Sequence, residues 1–316
     1  MKRALQILIA MILLVAVSAS MGCGRWLIVR IAQRVAEPAA VAPPSGVAVE
    51  RDIVFAETKD GPLALDIYTP DPRPPGKLPV VVFVYGGGWF VGNKNQVQLL
   101  DGPLLARRGF AVVSTSYRLT DVAIFPAQIH DVKATIRWVR ANAEHYGFEA
   151  SAIGAWGGSA GGHLVSLLAT TPGVAALEGD VGGEALRGYD SHVQAVVDYF
   201  GPADLLKFGV DPGWMVEDLL GGPFADRRAL AKLASPAHHV SRDVAAEIAP
   251  LLIVHGDRDR TVPVEQSTGF HARLASAGAD STLHVIAGAG HGGEEFVTEE
   301  MHEKIVAFFG RHLIRP

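Results

Sequence analysis

The run Trp156-Gly157-Gly158-Ser159-Ala160-Gly161-Gly162-His163 constrains this chain more than any other segment. An apolar, strand-like stretch, Ile153 to Trp156, leads into it, and an apolar, helix-like stretch, Leu164 to Ala169, leads out. Gly157, Ser159 and Gly161 form a G-x-S-x-G pattern in a strand–turn–helix setting, the context of a nucleophile elbow. Such a turn strains its central residue and lifts the serine hydroxyl clear of the sheet. Residues two before and two after must be small, or their side chains collide. A glycine-rich turn in which Ser159 only caps the helix fits the same residues, because serine is a favoured N-cap. With 35 glycines in 316 residues, the pattern alone does not separate the two.

Three further segments bear on the choice. Tyr85-Gly86-Gly87-Gly88-Trp89 follows the strand-like Val80 to Val84. Consecutive glycines at a strand end leave bare N–H groups that a ligand can approach closely. Together with the N–H of Ala160, these groups are candidates for stabilising an oxyanion. A phosphate-binding loop is the competing reading, but neither G-x-x-x-x-G-K-[ST] nor G-x-G-x-x-G surrounds the run.

His255-Gly256-Asp257-Arg258-Asp259 follows the strand-like Leu251 to Val254 and carries two carboxylates at a strand's carboxyl end, where open α/β sheets place their sites. Asp259 lies further into the loop, and Asp257 reads more as a turn-former, since aspartate readily makes Asx-turns. Spacing alone leaves both open. Gly288-Ala289-Gly290-His291-Gly292-Gly293 follows the strand-like Thr282 to Ala287, and its small neighbours let His291 reach an adjacent loop. His255, His284 and His302 compete with it; His163 reads as helix capping or packing. The order Ser159, Asp259, His291 is the chain order of an α/β-hydrolase triad.

The chain resembles α/β-hydrolases of the group that includes bacterial feruloyl-esterase-like enzymes, hormone-sensitive-lipase-like carboxylesterases and kynurenine formamidases. The resemblance runs from about Arg51 onward. It rests on Tyr85 to Trp89, Ser116-Tyr117-Arg118-Leu119, Asp131 to Val139, Gly157 to His163, Asp198-Tyr199-Phe200-Gly201-Pro202-Ala203-Asp204, His255 to Asp259, Val262-Pro263 and Gly290-His291. It implies that Asp259, the second acid of its run, orients His291, and that Gly87 and Gly88 supply oxyanion N–H groups. One departure stands out: the oxyanion motif commonly begins with histidine, and here Tyr85 takes that place, so the anchoring of the loop is open.

Composition narrows the partners. A net charge of −5 argues against a nucleic-acid-binding surface, which usually needs a basic patch. No H-E-x-x-H or C-x-x-C pattern accompanies the histidines, and the chemistry requires no metal or cofactor. Lys2 and Arg3 precede Ala4 to Val17, an apolar run short of the roughly 20 residues of a membrane span and closer to a signal-peptide core. Ser18-Ala19-Ser20 offers a cleavage site. Ser20-Met21-Gly22-Cys23 resembles a lipoprotein box, although leucine is commonest where Ser20 stands. The leader is expected to be cleaved, lipidated at Cys23 or retained as a membrane anchor, with export to the periplasm or cell envelope in each case. Residues 1–22 are read as signal peptide or anchor, 23–50 as linker and 51–316 as the catalytic domain.

Strand-like and helix-like runs alternate, which predicts a mostly parallel, doubly wound α/β sheet behind an antiparallel hairpin around Asp60-Gly61. Ile129 to Tyr146 is expected as a helix stopped by Gly147. Lys207 to Glu247 breaks the rhythm and is expected either as a short helical cap or as packing on the sheet. Trp89 and Phe90 are candidates for walling the substrate pocket, with buried packing as the alternative. The chemistry expected is hydrolysis of a small-molecule carboxylic ester by Ser159, His291 and Asp259, falling off as the imidazole protonates. A peptidase or an arylamide or formamide hydrolase would share the triad. A non-catalytic exported scaffold is the reading from outside enzymology.

Overall fold

The computed structural model describes residues 42–208 and 213–314. The leader, Cys23 and most of the spacer lie outside them. The described strands are β1 (Val47–Thr58), β2 (Gly61–Pro70), β3 (Leu78–Val84), β4 (Ala111–Thr115), β5 (Phe148–Gly158), β6 (Ala195–Tyr199), β7 (Leu251–Gly256) and β8 (Ser281–Ile286). They form one eight-stranded sheet in the order β1-β2-β4-β3-β5-β6-β7-β8. β1 and β2 pair antiparallel, as do β2 and β4. Every pairing from β4 through β8 is parallel. The longer helices are α1 (Ala127–Ala141), α2 (Ala160–Thr170), α3 (Gly213–Leu220), α4 (Glu265–Ala277) and α5 (Glu299–Leu313). This is the doubly wound sheet that the alternation predicts.

The central strands are apolar throughout because helices cover both their faces. Val80 to Val84 are all buried. On β5 the two faces can be told apart by the alternation of side chains along a strand. A methyl group added at Gly154 would lie 2.7 Å from the Phe309 ring of α5. One at Gly157 would lie 2.5 Å from the backbone of Gly161 in α2. Glycine at both positions therefore lets helices approach the sheet from opposite sides.

The boundaries differ in two places. β1 begins at Val47, so Val47 to Glu50, the end of the stretch read as linker, pair with β2. The helix expected over Ile129 to Tyr146 runs as α1 to Ala141 and resumes as a single turn, Ala143–Tyr146. At the break, the Trp138 carbonyl accepts from both the Asn142 backbone N–H at 3.0 Å and its side-chain amide at 2.9 Å. Gly147 then ends the turn at φ 62, the left-handed stop expected of it.

Buried Asp131 on α1 holds the loop after β4. It accepts from the Arg118 backbone N–H at 2.8 Å, and from Nε and Nη2 at 2.9 and 2.7 Å. No helix among the described residues is long and apolar enough to cross a membrane.

Because β3, β5, β7 and β8 run in one direction, the loops after them open at the same edge of the sheet. Gly86 to Gly88 follow β3, Ser159 follows β5, Asp259 follows β7 and His291 follows β8. Topology alone therefore brings four distant segments to one place.

Candidate active site

Ser159 stands between β5 and α2 at φ 57, ψ −121. A non-glycine residue in such a region costs on the order of 1–3 kcal/mol and persists only where its surroundings fix it. Here the Ser159 N–H donates to the Tyr199 carbonyl at 2.8 Å, and the His163 N–H donates to the Ser159 carbonyl at 2.9 Å. A methyl at Gly161 would come within 2.0 Å of the Val84 carbonyl oxygen. The turn is thus wedged against β3 with no room for a side chain. Ser159 occupies the N-cap position of α2, yet its side chain makes no capping bond. Its hydroxyl faces His291 instead and donates to Nε2 at 2.9 Å.

His291 continues the chain. Its Nδ1–H donates to Asp259 Oδ2 at 2.6 Å. The two contacts fix the tautomer: the proton sits on the nitrogen facing the carboxylate, and the lone pair faces the hydroxyl. The other oxygen of Asp259 accepts from the Thr261 and Val262 N–H groups at 2.8 and 2.9 Å. Burial alone would raise the Asp259 carboxyl. Hydrogen bonds from His255 and His291, the charge on His291 and the Val262 N–H outweigh that and hold it well below the usual carboxylate range. Asp257 takes a different part: its Oδ1 accepts from the Gly288 N–H at 2.7 Å and ties the β7 loop to the β8 loop.

Gly86, Gly87, Gly88 and Ala160 line the cleft beside Ser159. The loop can lie this close only because Gly86 lacks a side chain; a methyl there would sit 2.7 Å from the Gly158 carbonyl oxygen. Gly87 at φ 115 and Gly88 at φ 59 adopt backbone that favours glycine. The N–H groups of Gly87, Gly88 and Ala160 have no acceptor among the described residues. Tyr85, in the place commonly held by histidine, anchors the loop through a reciprocal brace. Its hydroxyl donates to the Tyr117 carbonyl at 3.2 Å, and the Tyr117 hydroxyl donates to the Tyr85 carbonyl at 3.1 Å. The rings stack with centroids 4.3 Å apart. Burial pushes both phenols upward, so both stay protonated donors.

Trp89 and Phe90 each line the cleft and also pack, so neither of the two expectations holds alone. The Trp89 indole N–H donates to His163 Nδ1 at 3.2 Å. The His163 Nε2–H donates to the Ala234 carbonyl at 2.6 Å. His163 thereby joins the loop after β3, α2 and the segment after α3. Phe90 packs against Trp214 of α3, with centroids 4.7 Å apart. The interrupted segment likewise divides between its two readings. Met215 of α3 lines the cleft, while Val216, Leu219 and Leu220 are buried in the core.

Three residues at the site take places there that the sequence reading did not assign to them. His255 is fully buried, with Nε2 3.2 Å from Asp259 Oδ2 and 2.8 Å from the Val262 carbonyl, and Nδ1 2.7 Å from the Ser267 hydroxyl. Phe200, at φ 44, lays its ring 4.6 Å from that of His291. Gln96 lines the cleft from the turn that follows the glycine loop after β3. His255 and Phe200 sit in motifs quoted above, His-Gly-Asp-x-Asp and Asp-Tyr-Phe-Gly-Pro, and that membership is the signal available for them. Among the described residues, no group of three or more His, Cys, Asp or Glu side chains is placed to hold a metal ion.

The BD-FAE family profile matches residues 65–274. Esterase LipQ of Mycobacterium tuberculosis is 34% identical over 68% of this chain and 50% of its own length. Esterase LipC of the same organism is 32% identical over 72% of this chain and 56% of its own length. The chain thus spans about half the length of the curated relatives it matches. Among solved structures, a truncated carbohydrate esterase from gut microbiota has a TM-score of 0.79 at 32% identity, covering 87% of this chain and 100% of that one. A propionate-bound thermophilic esterase from Thermogutta terrifontis has a TM-score of 0.69 at 28% identity, covering 87% of this chain and 98% of that one. With the profile matched across most of the described sheet and the fold shared with these neighbours, the chain belongs to the BD-FAE family of α/β-hydrolases.

Proposed function

We propose that this chain hydrolyses carboxylic esters of small molecules through an acyl-enzyme formed on Ser159. The observation that carries the reading is the unbroken hydrogen-bonded chain from Asp259 through His291 to Ser159, lying in an open cleft beside unpaired N–H groups. His291 Nε2 takes the hydroxyl proton as Ser159 Oγ attacks the carbonyl carbon. Asp259, ionised and buried, stabilises the imidazolium that forms. The Gly87, Gly88 and Ala160 N–H groups face the oxygen on which charge develops; one such donor is worth about 3–4 kcal/mol in related chemistry. Collapse of the tetrahedral intermediate expels the alcohol, which receives its proton from His291. Water then repeats the sequence on the acyl-enzyme. The similarity to proteins named as esterases supports the ester reading.

The test is turnover of p-nitrophenyl butyrate by the wild type and by Ser159→Ala. Loss of kcat on the order of 10⁶-fold is expected for removal of a triad nucleophile. A fluorophosphonate should label the wild type at Ser159 and leave the variant unlabelled. Equal turnover by the two proteins would refute the proposal.

A further inference from the structure

β7 is apolar from Leu251 to Val254 and then carries an imidazole, His255, that is wholly buried. A polar ring sealed from water is costly unless its nitrogens are bonded. Here both are. Nε2 lies 2.8 Å from the Val262 carbonyl oxygen and 3.2 Å from Asp259 Oδ2, and Nδ1 lies 2.7 Å from the Ser267 hydroxyl. A carbonyl can only accept, so the ring proton sits on Nε2, and Nδ1 accepts from Ser267 on α4. Val262 is itself a donor to the carboxylate: its N–H reaches Asp259 Oδ1 at 2.9 Å. His255 therefore meets Asp259 by two routes. One passes through Val262 to Oδ1. The other is direct, to Oδ2, the oxygen that also accepts from His291.

A carboxylate on a loop can turn about its own bonds, yet a triad needs one of its oxygens aimed at one nitrogen. β7 is an interior strand, held between β6 and β8, whereas Asp259 lies in the loop beyond it. His255 ties that loop back to the strand. Its Nε2–H also faces an oxygen that burial would otherwise push toward protonation. A leucine at this position would continue the apolar run, but it would take a donor from the Val262 carbonyl and a positive edge from Oδ2. We infer that His255 is a positioning residue for the hydrolysis: acting through Asp259 and Val262, it keeps Oδ2 in line with His291 Nδ1. The inference rests on the ester-hydrolase reading above. The chain of contacts from Ser159 through His291 and Asp259 thereby continues to His255 on β7 and ends at Ser267 on α4. His255 does not line the cleft, so its removal slows the reaction only by way of the carboxylate it holds.

Three substitutions test it. His255→Phe and His255→Met fill the space and remove the donor, whereas His255→Gln keeps a side-chain N–H where Nε2 stands. For each variant whose near-ultraviolet circular dichroism matches the wild type, kcat/KM is measured on p-nitrophenyl butyrate. Phe and Met should each lower it by about 10- to 100-fold, the range for hydrogen bonding around a charged group, and Gln should recover most of the loss. Using two donor-less variants keeps the test open if one of them does not fold. The same substitutions are then made beside Asp259→Asn. In that background they should cost less than about threefold, because the carboxylate they position is gone. A packing role predicts the same factor in both backgrounds and a Gln variant no faster than Met. Either result, or wild-type activity in Phe and Met, overturns the role of His255 and leaves the ester reading intact. If the wild type neither hydrolyses the ester nor reacts with a fluorophosphonate, the ester reading fails and the role of His255 fails with it.

Discussion

At the residue scale, the two acids of the β7 loop show what side-chain direction decides. They lie two positions apart, and spacing alone favours neither strongly. In the structure Asp259 turns toward His291 while Asp257 is spent on the Gly288 N–H. Asp259→Asn should therefore lower kcat by about 10⁴-fold, the loss seen when a triad carboxylate becomes an amide and the wrong tautomer is held. Asp257→Asn should leave kcat close to wild type and act instead on stability. Steady-state kinetics of the two variants checks both, and the reverse outcome would exchange the assignments. Ser159, His291 and the glycines could be read as candidates because the chemistry proposed for them demands residue types in a recognisable setting. His255, Phe200 and Gln96 were not, because what they do depends on which way a buried ring or amide points, and spacing carries no trace of that.

At the scale of elements, the strands were the most legible part. Valine-rich runs covered on both faces leave little choice of secondary structure, and β3 begins and ends within two residues of the apolar run that announces it. The helix after β4 was less so, since its break at Asn142, where the side chain also bonds the Trp138 carbonyl, leaves no mark in apolar periodicity. β1 likewise begins at Val47, inside the stretch 23–50 read as linker. The loop after β3 posed the open question of how a tyrosine replaces a histidine as its anchor. The paired phenols answer it, and they make a prediction. Tyr85→Phe and Tyr117→Phe should each lower unfolding free energy by about 1 kcal/mol, the net worth of one hydrogen bond, with the ring stack retained. Urea unfolding of the single and double variants measures this. Additive losses would mean that the two bonds do not brace one another, whereas coupling is expected for neighbours in one network.

At the scale of the molecule, histidines set the response to acid. Burial pushes His163 from 6.5 down to about 4. It lowers His130, His239, His284 and His312 as well. Each of these groups binds its proton more weakly in the fold than in the unfolded chain. As pH falls below about 6.5 the unfolded state therefore takes up more protons, and stability declines. His163 alone, at 1.36 kcal/mol per pH unit, should cost about 3 kcal/mol by pH 4. The Asp259 carboxyl is lowered as well and adds its own loss only further down, as pH falls through the ordinary carboxylate range toward its depressed folded value. Urea midpoints measured from pH 7 to pH 4 should fall, and His163→Gln should flatten most of that slope. An unchanged slope in the variant would place the acid sensitivity elsewhere.

The partners Ser159 and His291 are separated by 132 positions along the chain. A growing polypeptide thus completes its hydroxyl and the glycine loop long before the imidazole exists. Until β8 docks at the far edge of the sheet, no base stands beside that oxygen, and it is an ordinary alcohol. Under the mechanism proposed above, reactivity would arrive with β8, and an unfinished or half-assembled copy would be chemically harmless to esters around it.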